Sequence, residues 1–191
     1  MQRAADKGER SSNGRQARFE DCFREHYADI LAFAIRRVHG RDQAEEVAAD
    51  TFAVAWQRAD QIPDPALPWL YGVGLKIIAN QRRSQTRRQA LSERIAHQPP
   101  PAGAALDESL ICREAFSVAF ARLTEREREV LRLVAWEQLN SSQAAAVLGC
   151  SSSAFRVRLH RARRKLAKHL RAGGHLVTEN PRPTMDPEES Q

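Results

Sequence analysis

Ser141 to Leu170, SSQAAAVLGCSSSAFRVRLHRARRKLAKHL, decides how this chain folds. It reads as a short helix, a tight turn and a long basic helix. Ala145, Gly149 and Phe155 set the spacing. A small residue in the first helix lets the second cross close to it. The glycine after it can take the positive φ that the turn needs, and the phenylalanine plugs the second helix back onto the first. Leu148 and Cys150 add apolar contacts on either side of the turn. Ser151, Ser152 and Ser153 all suit the N-cap of the second helix, and the sequence does not choose among them.

That second helix has two faces. Phe155, Leu159, Ala162 and Leu166 recur at helical spacing and form one apolar stripe. Arg156, His160, Arg163 and Arg164 lie off it, with Val157 and Arg161 beside them. From Arg156 to Arg171 there are eight Lys or Arg and no Asp or Glu. A merely solvated helix would alternate its charges. An acid-free basic helix that follows a helix-turn-helix spacing points to the major groove of DNA.

Composition bounds the rest. The chain has 191 residues, a formal net charge of +6 and a pI near 9.8. That length allows one or two small domains, and the basic balance suits a polyanionic partner. No apolar run is long enough to span a bilayer, so no membrane insertion is expected, and the polar N-terminus is no signal peptide. Cys22, Cys112 and Cys150 are far apart, form no metal spacing and read as reduced thiols of a cytoplasmic protein. There is no Gly-rich phosphate loop, no nucleophile beside a base and no His/Cys cluster. The sequence therefore predicts a binding protein and not an enzyme, with neither cofactor nor metal.

Upstream, Met1 to Gln16 is polar and aperiodic and is expected to be a disordered arm. From Arg18 to Val38 the residues Phe19, Phe23, Tyr27, Ile30, Leu31, Ala34 and Val38 follow helical spacing, with Gly40 expected just beyond the helix end as its C′ residue. Asp42 is expected to cap a second helix, with Glu45 completing a capping box. Val47, Ala48, Thr51, Phe52, Ala55 and Trp56 are its expected buried stripe. The opposite face carries Glu45, Glu46 and Asp50. Asp42 to Asp50 holds four acids and no Lys or Arg in an otherwise basic chain. The helix macrodipole accounts for Asp42 and Glu45 but less well for Asp50, two turns in. A solvated helix start and an acidic docking face for a basic partner both remain open at this point.

Gln57 to Pro68 reads as a loop because of Pro63, Pro65 and Pro68. PWLYGVGLKIIANQRRSQTRR then begins a third helix, with Trp69, Leu70, Val73, Ile77 and Ile78 packing inward. Lys76, Asn80, Arg83 and Arg87 project on another side. Aromatics near a loop, followed by a basic helix, suit single-stranded nucleic acid, although Trp69 reads better as a core or boundary residue. The proline-rich stretch within 97–107 is a linker. The fold class is therefore all-α: two small helical domains, 17–96 and 108–171, the second a helix-turn-helix four-helix domain. In the second, Leu110, Ile111, Ala115, Val118 and Ala119 suggest a helix ending near Leu123. Thr124 then caps a helix with Glu127 in a capping box, and Val130, Leu131, Val134 and Ala135 face inward. The charges from Glu125 to Glu129 read as local pairs and solvation. Residues 172–191 read as a disordered tail.

Three stretches in this order resemble the extracytoplasmic-function (ECF) sigma factors of bacteria, the minimal two-domain kind. DQAEEVAADTFAVAW resembles the family's core-polymerase-binding helix. PWLYGVGLKIIANQRRS resembles the segment that opens and reads the −10 promoter element. LTEREREVLRLVAWEQLNSSQAAAVLGCSSSAFRVRLHRARRKL resembles the region that binds the −35 element. The similarity spans roughly Phe19 to Leu170 and favours the docking-face reading of the acids.

The resemblance implies that Glu46 and Asp50, with Glu45 beside them, meet the clamp helices of core RNA polymerase. It implies that Lys76 and Asn80, with Arg83 and Arg87 on the same side, contact the unpaired −10 strand, and that the loop before Trp69 holds a flipped base. Arg156, Val157, His160 and Arg161, flanked by Ser152, Ser153 and Arg164, would face the −35 major groove. Promoter DNA, core polymerase and an anti-sigma protein are the implied partners. Ala49 stands where many members have glutamine, and Ser153, Ala154 and Phe155 replace the more usual Gly, Thr and Val. The alternative is a helix-turn-helix repressor or activator that acts without polymerase. It accounts for Ser141 to Leu170 but leaves the acidic face and the Trp69–Arg88 segment unused. A helical interaction protein that never binds DNA would leave the basic helix unexplained.

Overall fold

A computed structural model describes the backbone of residues 2–91 and 108–172, with side chains over 14–86 and 114–172. Among these residues the chain is all-α, with seven α-helices, one 3-10 turn and no strand. Helices α1 (Gln2–Ile35), α2 (Arg41–Gln57) and α3 (Ala66–Leu91) pack on one another. Helices α4 (Glu108–Ala121), α5 (Glu125–Ala135), α6 (Ser141–Val147) and α7 (Ser152–Ala172) form a second group, and α3 and α6 join the two. The expected linker at 97–107 and residues 173–191 of the expected tail lie outside the described residues.

In the first group Ile30, Phe33, Ala34, Val47, Ala48 and Leu70 are among the most completely buried residues. Apolar burial of this kind contributes roughly 25 cal/mol per Å2 removed from water. Gly74 lies where α3 crosses α1: a Cβ there would meet the Phe33 ring at 3.2 Å. The α2 stripe is Ala44, Val47, Ala48, Thr51, Phe52 and Ala55. Trp56, expected on it, is 46% exposed and instead edges against Phe19 at the group's outer surface. Phe23, expected in the core, is likewise 40% exposed, while Phe33 is completely buried.

Three local expectations are corrected. α1 extends back to Gln2, where an aperiodic arm was expected. Helix propagation from a packed segment needs no apolar face of its own, and no proline interrupts the arm. Further along, Arg15 donates to the Gln57 carbonyl at 2.9 Å, which ties α1 to the end of α2. Asp42 does not cap α2, and Gly40 is not the C′ residue of α1. The cap residue is Gly40, at φ 86°, with no side-chain hydrogen bond, and α1 has already ended at Ile35. Glu45 accepts from Arg41 Nε at 2.7 Å instead of closing a capping box. Pro68 does not precede α3 but sits in its first turn, where its missing N–H has no helical partner to lose.

The second group follows its sequence signals more closely. Thr124 and Glu127 make the expected reciprocal capping box on α5. Asn140 and Gln143 make another on α6. Gly149 has φ 62°, as the turn required. Ser151 is the cap of α7, with its Oγ accepting from the Ala154 amide at 3.2 Å. Phe155 and Ala162 are completely buried and Leu159 nearly so. Val118, expected inside α4, is half exposed, while Ala119 is buried. On α5 the inner positions are Val130, Leu131 and Leu133; Ala135 faces out.

Candidate nucleic-acid and partner interfaces

The buried stripe of α7 leaves its other side to solvent. Arg156, Val157, His160, Arg161 and Arg164 are all exposed, as is Ser153, and Ser152 is half-buried at the helix start. At 100° per residue these positions centre on the side opposite Phe155, Leu159 and Ala162. The structure therefore brings this whole set together as one basic, acid-free surface at the N-terminal half of the helix. Val157, half exposed, is an apolar spot within it that suits a thymine methyl. Lys165 differs from its neighbours: its Nζ lies 3.0 Å and 3.1 Å from the two carboxylate oxygens of Glu127. Burial works against the charge of Glu127, but hydrogen bonds from Thr124 and Lys165 outweigh it and hold the carboxyl below its ordinary range. Lys165 therefore binds α7 to α5 and is set apart from the free cations.

On α3, Trp69, Val73, Lys76, Asn80 and Arg83 follow one helical stripe. Lys76, Asn80 and Arg83 are exposed, and Arg83 donates to the Asn80 side-chain oxygen. Arg87 continues the stripe, with its side chain outside the described residues. Trp69 is half-buried, the boundary position that its sequence suggests. Tyr71 is core: it is 3% exposed and stacks on Phe33 at 4.7 Å, and burial pushes its phenol pKa up.

On α2, Asp42, Glu46 and Asp50 fall one turn apart along the exposed side. Glu45 is paired with Arg41. Among the described residues Glu46 and Asp50 have no cation beside them. Like charges one turn apart weaken an isolated helix by about 0.2–0.5 kcal/mol, so fold stability does not account for this row.

One set of charged residues escaped the sequence reading. Glu129 is buried on α5, and Glu137 is buried just beyond it. Their partner is Arg37, whose side chain is 1% exposed. Arg37 donates from Nε and Nη2 to Glu129 at 2.8–3.2 Å and from Nη1 to Glu137 at 2.8 Å. Arg36 adds a second contact to Glu137 at 2.5 Å. Arg82 reaches Glu125 at 3.3 Å. The charges from Glu125 to Glu129 are thus not only local pairs: two of them bind the first helical group. No spacing rule signals this, because the partners lie 92 and 100 residues apart in the chain.

The chain is similar to known proteins. The family model described as Sigma-70, region 4, matches residues 113–166. The chain is 31% identical over 159 residues to the ECF RNA polymerase sigma factor SigL of Mycobacterium tuberculosis, a match covering 78% of this chain and 87% of that protein. It is 31% identical over 174 residues to the RNA polymerase sigma factor CnrH of Cupriavidus metallidurans, covering 85% and 91%. Among solved structures it resembles the sigma factor RpoE in complex with the anti-sigma factor NepR from Bartonella quintana. That match has a TM-score of 0.61 and 26% identity, and covers 80% of this chain and 96% of that one.

Proposed function

The chain belongs to the ECF sigma factors, which direct RNA polymerase to initiate transcription, and we propose that it divides this task between its two helical groups. Residues 17–96 bind core polymerase and the −10 element. Residues 108–171 bind the −35 element, and 97–107 link the two. Glu46 and Asp50, with Glu45 at the edge, meet basic residues of the polymerase clamp helices. Lys76, Asn80, Arg83 and Arg87 hold the unpaired −10 strand. Ser152, Ser153, Arg156, Val157, His160, Arg161 and Arg164 face the −35 major groove.

The observation that carries the reading is the coexistence of two unlike surfaces. The acid-free face of α7 suits duplex DNA. The unpaired acids on α2 would repel DNA and need a basic protein partner. A repressor acting alone would use only the first. Two small domains on one chain raise the effective concentration of the second DNA contact once the first forms. Affinity for unstacked −10 bases over paired ones would then drive opening. In this reading the protein performs no catalysis and works in the cytoplasm with polymerase. It is held in check by an anti-sigma protein, the kind of partner with which RpoE was solved.

The test is a pull-down with core polymerase followed by transcription from fragmented genomic DNA. Stable polymerase binding and initiation from a defined promoter are expected. A tight duplex footprint in the absence of polymerase, with no added transcription, would establish the repressor reading instead.

A further inference from the structure

The fold leaves the cations of α7 unmatched. Its residues Ser152–Ala172 carry eight Lys or Arg and no acid. Arg156, Arg161, Arg163, Arg164 and Lys168 are exposed, and among the described residues only Lys165 of this helix pairs with a carboxylate. The other acids of α5 are engaged elsewhere: Glu125 with Arg82, Arg128 and Arg132, and Glu129 with Arg37. Cations one turn apart on a helix repel one another, so an anion lying along this face is favoured. Residues 173–191, outside the described part of the chain, contain such anions. Glu179, Asp186, Glu188 and Glu189 are their acids, against Arg182 as the one Lys or Arg.

Reach and polarity both suit a return of these acids over the helix that precedes them. Arg156 lies 16 residues before Ala172, about 24 Å along the axis, and Arg164 lies about 12 Å from the same end. Asp186 comes 14 residues after Ala172, a span of at most about 46–50 Å when extended. The acids can therefore be set against any part of the face. Gly173 and Gly174 follow the last helical residue, where glycine suits a chain that leaves a helix and reverses. The C-terminal end of α7 is the negative pole of the helix, which disfavours acids beside it and favours them towards the other end. The first acid beyond α7 comes seven residues on, and three of the four fall in Asp186–Glu189. Tethering holds them at an effective concentration of about millimolar order, so even a weak contact is populated.

We propose that the acidic end of the chain, Glu179 to Glu189, docks on the exposed cationic face of α7 and competes there with duplex DNA. The inference rests on the sigma-factor reading for naming the −35 duplex as the competitor. The docking itself rests on charge and reach. Cover of the face for two-thirds of the time lowers apparent affinity for the duplex about threefold, and removing the acids restores it. The contact is between exposed charges, so it is screened as salt rises: the Debye length is about 10 Å at 0.1 M and about 3 Å at 1 M. Its effect is to hold down stray binding to duplex, while a promoter complex held also at −10 and through polymerase depends less on this one contact.

The experiment uses the full chain. One variant combines Glu179→Gln, Asp186→Asn, Glu188→Gln and Glu189→Gln. A control makes the same change in net charge on exposed positions of α1, with Glu20→Gln, Asp21→Asn, Glu25→Gln and Asp29→Asn. Far-UV circular dichroism checks that both stay helical. Two-dimensional NMR of the labelled chain reads the surroundings of Arg156 to Lys168. Fluorescence anisotropy with a −35 duplex reads affinity. At about 50 mM salt the α7 signals of the tail variant should differ from those of the parent, and the difference should fade as salt is raised. The tail variant should bind the duplex about threefold more tightly at that salt, with the gain shrinking in the same way. The α1 control should change neither reading. Identical α7 signals in parent and tail variant would overturn the docking. An equal gain in duplex affinity from the α1 control would make the effect one of net charge and remove the tail as occupant. Shifted α7 signals with unchanged duplex affinity would overturn the competition. Shifted signals in a chain that binds no promoter, alone or with polymerase, would overturn the sigma-factor reading while keeping the docking.

Discussion

The recognition helix makes the sharpest prediction, because α7 separates its cations by what they touch. Arg156 and Arg161 are exposed at its N-terminal half, next to Val157 and His160. Arg163, Arg164 and Lys168 are exposed further along, where the helix would leave the groove floor and pass phosphates. Lys165 is held by Glu127. Truncating Arg156 or Arg161 opens no core, since the buried stripe is Phe155, Leu159 and Ala162. Loss of a bidentate guanine contact should cost about 1–3 kcal/mol at one −35 base pair and relax specificity there. Arg164→Ala should weaken every sequence alike and reduce the salt slope, log affinity against log salt, by about 0.9. Between 50 and 200 mM salt, that single contact is worth about a 3.5-fold difference in how far affinity falls. Lys165→Ala should leave the slope where it was. The assay is promoter binding by the polymerase holoenzyme on a base-substituted −35 panel at several salt concentrations. If Lys165→Ala flattens the slope as much as Arg164→Ala, the division of cations drawn from the Glu127 pair is wrong. If Arg156→Ala and Arg161→Ala weaken the whole panel uniformly, they only position the helix. Base choice would then rest on Ser152, Ser153, Val157 or His160.

Charge reversal at Glu46 and Asp50 should weaken core-polymerase binding at least tenfold, a loss of about 1.4 kcal/mol, while helicity and melting temperature stay unchanged; a matching loss of stability would make the row structural. Lys76→Ala with Asn80→Ala should impair transcription from duplex promoters and discrimination on a pre-melted −10 strand, with binding to a −35 fragment preserved; an intact strand preference would remove both from the site. Glu125 supplies a pH test. Burial pushes its carboxyl up, but the Arg132 hydrogen bond and the charges of Arg132, Arg82 and Arg128 outweigh it, leaving the pKa below its ordinary 4.5. Its stabilising contribution is therefore present above that value and is lost as pH falls through the lower folded value. Thermal unfolding of Glu125→Gln should be less sensitive to acidification than that of the parent chain below about pH 4.5, and equal sensitivity would show that the arginines do not shift this group.

What the sequence disclosed, and what it withheld, follows the range of the interaction. The helix-turn-helix was legible because Ala145, Gly149 and Phe155 act within one turn of chain, and Gly149 does adopt the φ its position required. Thr124 and Glu127 were legible for the same reason. Asp42 misled because a cap needs a particular backbone geometry, which Gly40 supplies one residue before the helix begins. Trp56 and Val118 sit near enough to apolar stripes to be read as buried, yet the rim of a small core leaves them exposed. The three proposed surfaces were legible as helical faces, since charge and period are both local. Glu129 was not: five charged residues in succession look like solvation until Arg37, 92 residues away, is seen to grip one of them.

That grip is ill suited to stability alone. An apolar pair of similar volume would often hold two helices as well as a buried ion pair, or better. It would also expose apolar surface whenever the helices parted. The Arg37 ion pairs would behave differently on separation. Glu129 and Glu137 return to water, where a carboxylate is well solvated. Arg37 keeps the Phe33 carbonyl and ring, which lie four residues back in its own helical group, so it is not left bare. Charges buried only while two groups touch are costly to leave unmatched at the contact and cheap to release if the groups part. The result is a contact strict about register and reversible in water.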